Sequence, residues 1–174
     1  MNQTHNPVWE VYDLYRTSRL NAKYYAALLH RTEVKNFILD FILACSAPTS
    51  AIAGLWFWDT EIGNELWKYF GIIAAIAAIT KPLLTLPKKI KDYESMLSGY
   101  RTLGHDLDEI QSSINQKQKY DQTEKSEFKK AMKRKGILVG KDPDSKEDTK
   151  LKKRCETEVL QELPVDSFFI PKEK

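Results

Sequence analysis

Two long apolar runs interrupt a chain that is otherwise rich in charge. The first run, FILDFILACSAPTSAIAGLWFW, covers residues 37–58, and Asp40 is its one charged residue. A helix of this length reaches about 33 Å, enough to cross the hydrocarbon core of a bilayer. The run ends in Trp56, Phe57 and Trp58, an aromatic belt typical of a membrane–water boundary. We therefore predict a transmembrane helix over residues 37–58.

The second run, LWKYFGIIAAIAAITKPLLTLP, covers residues 66–87. Only residues 69–80 are free of charge, and they make about 18 Å of helix, too short to cross a bilayer. The span must therefore include Lys81 and the apolar residues that follow it. We predict a second transmembrane helix over residues 66–87, joined to the first by a short external loop, residues 59–65.

The polar segments on either side of the two runs also have helical periodicity. Asn6 followed by Pro7 fits an N-cap and a first helical position, and apolar residues then recur at helical spacing. We predict an amphipathic cytosolic helix within residues 1–36. After the second run, a heptad seam has spacings of three and four, weakened by Gly104 and Gln111. Its members are Ile90, Tyr93, Leu97, Tyr100, Leu107 and Ile114. The seam predicts a helix that pairs with residues 8–33 or forms an oligomerisation seam with neighbouring subunits.

The rest of the C-terminal region, residues 88–174, is charged and helical in pattern. Residues 123–126 open a short basic helix that Gly136 is expected to end, and residues 146–162 form a last helix. The tail carries Phe168, Phe169 and Ile170 and either docks on its own domain or binds a partner. The predicted fold class is all-α: a two-transmembrane-helix hairpin with flanking long cytosolic helices in a helical bundle or coiled coil.

The charge around the spans predicts their orientation. The segment DTEIGNE between them has acidic residues and no basic one. The outer flanks carry Arg16, Arg19, Lys23, Arg31 and Lys35 before the first span, and Lys88, Lys89 and Lys91 after the second. The positive-inside rule then places both termini in the cytosol.

Small residues recur in both spans at spacings that put them on one helix face. They are Ala44, Ala47, Ala51 and Gly54 in the first span, and Gly71, Ala74 (or Ala75) and Ala78 in the second. Small residues let helix backbones approach closely in lipid. We expect these stripes to serve helix–helix packing, either within the hairpin or between subunits.

Besides Lys68 at the start of the second span, Asp40 and Lys81 are the charges that fall inside the spans. Counted from Lys35 and Lys88, an antiparallel hairpin puts them at nearly the same depth, about 8 and 10 Å above the inner boundary. Three interpretations stay open: Lys81 snorkels to the headgroups, it forms an intramembrane ion pair with Asp40, or both residues line a pore.

Composition and motifs give little indication of an enzyme. The chain has 174 residues and a net charge of +3, which gives no strong signal for nucleic acid, and we expect no direct contact with it. Cys45 and Cys155 form no motif, and the histidines form no metal-ligand pair, so no cofactor or metal site is predicted. Three residues separate Arg101 from His105 in RTLGH, whereas helical ribonucleases of the HEPN class separate the two by four to six residues. We therefore expect no enzyme.

The order of these elements resembles a known family. The long helix VWEVYDLYRTSRLNAKYYAALLHR, the two-span hairpin, the helix YESMLSGYRTLGHDLDEIQSSI and the segment KLKKRCETEVLQELP follow the layout of SLATT-type two-transmembrane effectors. These effectors occur in bacterial conflict and antiphage defence systems. The resemblance covers about residues 8–165 and has no catalytic residues to carry over.

The resemblance implies a function for this chain. It implies a multi-pass protein of the bacterial inner membrane that homo-oligomerises beside an upstream sensor protein or nucleotide signal. Contact with inner membrane lipid would then lead to permeabilisation or depolarisation, the toxic output of abortive infection. The alternatives are a membrane-tethered helical ribonuclease that uses Arg101 and His105, and a passive membrane adaptor that acts through its coiled coil.

Overall fold

Helices make up all the regular structure in the described part of the chain. The computed structural model describes residues 6–46 and 60–171, and no strand occurs in these ranges. The helices are α1 (Val8–Ser46), α2 (Glu61–Leu84), α3 (Leu86–Lys117), α4 (Gln122–Val139) and α5 (Thr149–Glu162), followed by a 3₁₀ turn at Val165–Ser167. The all-α class predicted from the sequence is therefore confirmed for these residues.

The chain divides into two compact units. The terminal unit contains described residues 6–27 and 92–171, and the central unit contains described residues 28–46 and 60–91. Helices α1 and α3 each contribute one part to the terminal unit and one part to the central unit.

Side-chain caps fix where several helices begin. The Asn6 Oδ1 atom accepts a hydrogen bond from the Val8 N–H at 3.1 Å, which confirms the predicted N-cap of α1. The Thr60 Oγ1 atom accepts from the Gly63 N–H at 3.0 Å and caps α2. The Asp148 Oδ1 atom accepts from the Leu151 N–H at 3.0 Å and caps α5. Each cap satisfies an amide that the helix leaves without an internal partner.

The helix boundaries differ in part from the predicted segments. Helix α1 runs from residue 8 to residue 46, so the predicted cytosolic helix continues directly into the start of the predicted first span. Helix α2 begins at Glu61, so residues 61–65 are helical and do not belong to a loop. The other residues of the predicted first span and loop, 47–59, lie outside the described residues.

The chain stays helical through Pro82. Proline lacks one backbone donor, but α2 continues to Leu84. The break comes at Thr85, whose φ of 45° and ψ of 34° are left-handed and end the helix. Helix α3 then starts at Leu86, so Pro87 lies in its first turn, where a missing N–H costs little.

Helix α4 likewise continues past Gly136, which was predicted to end it. Leu138 is buried, and a β-carbon built on Gly99 of α3 would stand only 2.4 Å from its side chain. Tertiary packing of Leu138 against Gly99 therefore outweighs the low helix propensity of Gly136.

The core of the terminal unit forms where α1 packs against α3. The ring of Tyr25 stacks on Tyr100 with centroids 5.7 Å apart, and a β-carbon on Gly104 would lie 3.3 Å from the Ser18 Oγ atom. Ser18 is fully buried, so the absence of a side chain at Gly104 lets the two helices approach closely here. Gly104, which weakens the heptad pattern in the sequence, therefore lies where α3 contacts α1 in the fold.

The predicted seam of α3 is used inside the chain. Tyr93, Leu97, Tyr100, Leu107 and Ile114 are buried in the terminal unit, while Ile90 is half-buried in the central unit. Of the two alternatives left open, pairing with the N-terminal helix is confirmed by the Tyr25–Tyr100 contact. The five buried residues do not form an exposed oligomerisation surface in this conformation, because the chain's own side chains cover them.

The C-terminal tail docks on α1 of the terminal unit. The Phe168 ring stacks on Tyr12 with centroids 4.4 Å apart, and the Arg16 guanidinium lies 4.9 Å from the same ring centroid. The Tyr12 hydroxyl donates a hydrogen bond to the Phe169 carbonyl oxygen, and Arg16 donates two to the Leu163 carbonyl oxygen. Docking on its own domain, one of the two predicted alternatives, is therefore confirmed.

A buried carboxylate connects α3 to the start of α4. Glu124 is 2% exposed, and its Oε1 atom accepts hydrogen bonds from the Ser113 hydroxyl at 2.6 Å and the Lys117 ammonium at 2.7 Å. Its Oε2 atom accepts from the Asp121 N–H at 3.3 Å, which completes a capping box. Burial by itself raises the pKa of Glu124, but hydrogen bonding with Asp121, Lys117 and Ser113 outweighs burial and holds the pKa well below its usual range.

Replacing Glu124 by glutamine should destabilise the terminal unit. At pH 7 we expect a loss of about 1–3 kcal/mol in the free energy of unfolding, because charge-assisted hydrogen bonds are lost. The folded pKa is lowered, so the carboxylate stabilises the fold above the unfolded pKa of about 4.3, and this stabilisation is lost as the pH falls. The difference between wild type and Glu124→Gln should therefore shrink on acidification, as measured by unfolding followed by circular dichroism.

Glu127→Gln is the matched control for this substitution. Glu127 lies one turn further along α4 and pairs with Lys130 at 2.7 Å on the surface, where ion pairs contribute about 0–1 kcal/mol. Equal losses in the two variants, or a difference that grows at acid pH, would contradict the role assigned to Glu124.

Removing the Phe168 ring should release the tail. We expect Phe168→Ala to lower the stability of the docked tail by about 3 kcal/mol, because an aromatic side chain buried between Tyr12 and Arg16 is lost. Backbone hydrogen exchange over residues 163–171 should rise with it. Ile170→Ala is the control, since Ile170 is exposed and should change exchange little. Unchanged protection in Phe168→Ala would show that other contacts hold the tail.

Candidate functional site

Helix α2 has a broad apolar surface that the chain does not cover. Among the described residues it is the one helix long and apolar enough to cross a membrane, with a mean hydropathy of 1.3 over its most apolar 18-residue window. Only 11% of that window is buried. The exposed apolar side chains are Ile62, Leu66, Tyr69, Ile72, Ile73, Ile76, Ile79, Leu83 and Leu84. An apolar surface of this size is unusual for a soluble monomer and marks a site of interaction with lipid or protein.

The opposite face of α2 forms a narrow packed strip. Gly63, Ala74 and Ala77 are buried, and Trp67, Phe70 and Lys81 are half-buried, so the strip repeats with spacings of three and four. Of the predicted small-residue stripe, Ala74 lies in this strip. Gly71 and Ala78 are exposed instead, and no atom of the described residues comes within 4 Å of a β-carbon built on Gly71. Gly71 and Ala78 therefore do not pack within the hairpin, and their contact with another subunit stays a prediction.

The corresponding strip of α1 in the central unit contains polar residues. Thr32 is buried, and Asn36, Leu39, Asp40 and Leu43 are half-buried on one face. Ala44 is exposed, so it does not pack within the hairpin, and its contact with another subunit stays a prediction. The other small residues predicted for this span, Ala47, Ala51 and Gly54, lie outside the described residues.

Asp40 and Lys81 meet where these two strips face each other. The Lys81 ammonium donates a hydrogen bond to the Asp40 Oδ1 atom and forms a salt bridge with it. The Asp40 side chain keeps 45% of its surface exposed, and the Lys81 side chain keeps 32%. The ion pair was one of three interpretations of the sequence, and the structure shows this one.

Asn36 completes the polar cluster and was missed by the sequence reasoning. Its Nδ2 atom donates a hydrogen bond to the Asp40 Oδ2 atom at 2.8 Å, so both carboxylate oxygens are occupied. Its Oδ1 atom is buried and has no hydrogen-bond donor within the described part of the chain. Its position four residues before Asp40, one helical turn away, was the signal that could have found it.

This cluster places opposite charges inside an apolar surface. In lipid the two charges stabilise each other, because neither has water to replace its partner. Their partial exposure leaves one side of the pair open. The arrangement therefore supplies either an internally neutralised contact between helices or a polar point that a second molecule or water can reach.

The residues considered for ribonuclease chemistry lie in the terminal unit. Arg101 and His105 are exposed on α3, one helical turn apart, and both line a groove against α1. The His105 Nε2 atom lies 3.3 Å from the Glu109 Oε1 atom on the same helix face. In residues 6–46 and 60–171, no group of three or more histidine, cysteine or acidic side chains is arranged to hold a metal ion.

Comparisons of this chain with protein-family models, with curated proteins and with solved structures found no match.

A double-mutant cycle should measure the coupling of the ion pair. Asp40→Asn or Lys81→Met alone leaves one charge without its partner in an apolar surface, and we expect each to cost about 1–3 kcal/mol. The double variant should cost less than the sum of the two, because it removes both charges together. The free energy of unfolding in detergent is the quantity to measure.

Glu65 and Lys68 offer a matched control cycle on the same helix. They form an exposed pair at 2.6 Å near the start of α2, for which little coupling is expected. Strict additivity in the Asp40–Lys81 cycle would show that the contact contributes nothing to the packing of α1 on α2.

Proposed function

We propose that this chain is a homo-oligomeric membrane effector of a bacterial conflict or antiphage defence system. Its two apolar helices form a hairpin across the inner membrane, with both termini in the cytosol. Activation by an upstream sensor protein or nucleotide signal leads the assembled hairpins to permeabilise or depolarise the membrane. The resemblance to SLATT-type effectors in the order of the elements supports this assignment.

The observation that carries the proposal is the uncovered apolar face of α2. Its 24 residues make about 36 Å of helix, longer than the hydrocarbon core. With only 11% of its most apolar window buried, this helix does not resemble the core helix of a soluble bundle. Lipid is the environment that covers such a face at the lowest cost.

The part of α1 that lies in the central unit supports a second span. Val34, Phe37, Ile38 and Phe41 are exposed apolar residues on the side away from Asn36 and Asp40. They begin the apolar run that predicts the first transmembrane helix. The polar strip then faces α2, and the apolar side faces outward, as expected for a helix in lipid.

The charged residues next to the spans support the orientation. Lys88 and Lys89 are exposed at the start of α3, beyond the end of α2. Glu61 and Glu65 lie at the other end of α2, where the rule for transmembrane proteins expects few cations. Both ends of the chain belong to the cytosol in this proposal.

The Asp40–Lys81 pair supports a role in ion passage. Isolated charges in a span are costly and mark pathways for ions or protons more often than structural contacts. The side chains of Asp40 and Lys81 keep part of their surface exposed. A neighbouring copy of the hairpin would complete this polar surface along a water-filled path.

Reconstitution in liposomes tests the proposal. We expect the purified full-length protein to oligomerise and to dissipate a potassium diffusion potential, read with a voltage-sensitive dye. Lys81→Leu and Asp40→Leu should each change the ion flux several-fold, since they alter the charge of the path. Lys68→Leu is the control, because Lys68 lies on the same helix in an exposed surface pair.

Two results would overturn this function. A protein that runs as a monomer in mild detergent and leaves the potential intact is not a pore-forming effector. Flux that is unchanged in both Lys81→Leu and Asp40→Leu removes these residues from any conducting path. Toxicity that is lost in Arg101→Ala with His105→Ala, with the flux unchanged, would instead support the ribonuclease alternative.

A further inference from the structure

A groove of about 280 Å³ lies between α1 and α3 in the terminal unit. Arg19 and Tyr15 line it from α1, and Arg101, His105 and Asp108 line it from α3. It is separate from the Asp40–Lys81 cluster, which belongs to the central unit. Its cationic side chains come from both helices.

The two arginines of this groove form no close ion pair with a described residue, although the charge of Arg19 adds to the effect of Lys23 in lowering the pKa of the Glu162 carboxyl. No hydrogen bond or salt bridge joins Arg19 or Arg101 to a carboxylate in the part of the chain that the structure describes. The two acids nearby are engaged by other groups. Asp108 accepts a hydrogen bond from the Tyr15 hydroxyl at 3.3 Å, and Glu109 lies 3.3 Å from His105.

A second groove in the same unit shows the opposite arrangement. It has a volume of about 270 Å³ and lies between α3 and α4. There Lys130 pairs with Glu127 at 2.7 Å, and Arg134 pairs with Asp106. The cations of that groove are paired within the chain, whereas Arg19 and Arg101 form no such pair in the described ranges, although Asp108 lines the same groove.

The chemistry of two guanidinium groups in one groove favours a particular class of anion. Guanidinium groups bind phosphate through paired N–H donors in a fixed plane, and two of them match the charge of a phosphate monoester. The Tyr15 ring beside them offers an apolar wall for an organic group. A volume near 280 Å³ accommodates a ligand of nucleotide size but not a folded macromolecule.

We propose that the α1–α3 groove is a binding site for a phosphate monoester. Arg19 and Arg101 hold the phosphate, and the Tyr15 ring lies against the organic group. The site does not depend on the function proposed for the apolar helices. The same chemistry is present in a soluble ester and in the headgroup of phosphatidic acid, and the experiment must separate these two sources.

The experiment uses the full-length protein in nanodiscs of neutral phosphatidylcholine and isothermal titration with three probes. AMP and inorganic phosphate should bind saturably, and adenosine, which lacks the phosphate, should not. Arg19→Gln and Arg101→Gln should each weaken AMP binding about tenfold or more, because a charge-assisted bond to the phosphate is lost. Arg134→Gln, in the α3–α4 groove, should bind as wild type does.

Variants with lysine keep the test independent of folding. Arg19→Lys and Arg101→Lys retain the charge but lose the paired donors, so their affinities should fall between those of wild type and the glutamine variants. Nanodiscs that contain phosphatidic acid identify the source. Weaker AMP binding in them assigns the site to a lipid headgroup, and unchanged binding assigns it to a soluble ester; both results support the proposed chemistry.

Three results would overturn the site. The first is no saturable binding of AMP or phosphate at millimolar concentration in neutral nanodiscs, together with no arginine-dependent retention of phosphatidic acid. The second is AMP affinity that is the same in wild type, Arg19→Gln and Arg101→Gln. The third is an equal loss in Arg134→Gln, which would mean that only the net charge of the surface matters.

Discussion

The need to satisfy two opposite charges within an apolar surface shapes the central unit. Asp40 and Lys81 lie on different helices. Their contact fixes how far α1 is shifted along its axis relative to α2. Around the pair, α2 supplies Ala74 and Ala77, whose short side chains let the helices approach. Asn36 then takes the second carboxylate oxygen. Apolar packing alone would leave this position along the helix axes weakly specified, and the ion pair defines it.

The same constraint explains why α2 has two different faces. One face must pack closely against the neighbouring helix so that Lys81 can reach a carboxylate there, and its buried residues are glycine and alanine. The remaining circumference has no partner among the described residues and is covered with isoleucine and leucine. A soluble bundle would bury these residues against a further helix. In the function proposed here lipid covers them, and the packed strip needs only one neighbouring helix.

Local signals in the sequence predicted local structure well. Asn6 and Pro7 mark the start of α1 because capping depends only on adjacent backbone groups. Counting residues to the charged flanks put Asp40 and Lys81 at nearly the same depth, because helical rise is constant, and left an ion pair as one of three interpretations. The aromatic residues of the tail predicted either docking on its own domain or binding of a partner. In each case a few residues carry all the information that the structure uses.

The failures have a common physical origin. In a helix where almost every residue is small or apolar, spacings of three and four are met by several sets of residues. The sequence therefore did not determine whether Ala77 or Ala78 faces α1. Likewise, Gly104 weakens a heptad pattern, but its effect depends on Ser18 of another helix. In the sequence Glu124 looks like a surface residue, because its three hydrogen-bond donors come together only in the fold.

The burial of the α3 seam restricts how copies of the chain can assemble. Tyr100, Leu107 and Ile114 are occupied by the terminal unit itself, and freeing them would expose the aromatic contacts with α1. That exchange would expose buried apolar surface at a cost in folding free energy, so assembly through this seam is disfavoured. The exposed faces of α1 and α2 in the central unit carry no such cost. Oligomerisation, which the proposed function requires, is therefore expected to proceed between spans, beside the open side of the Asp40–Lys81 pair.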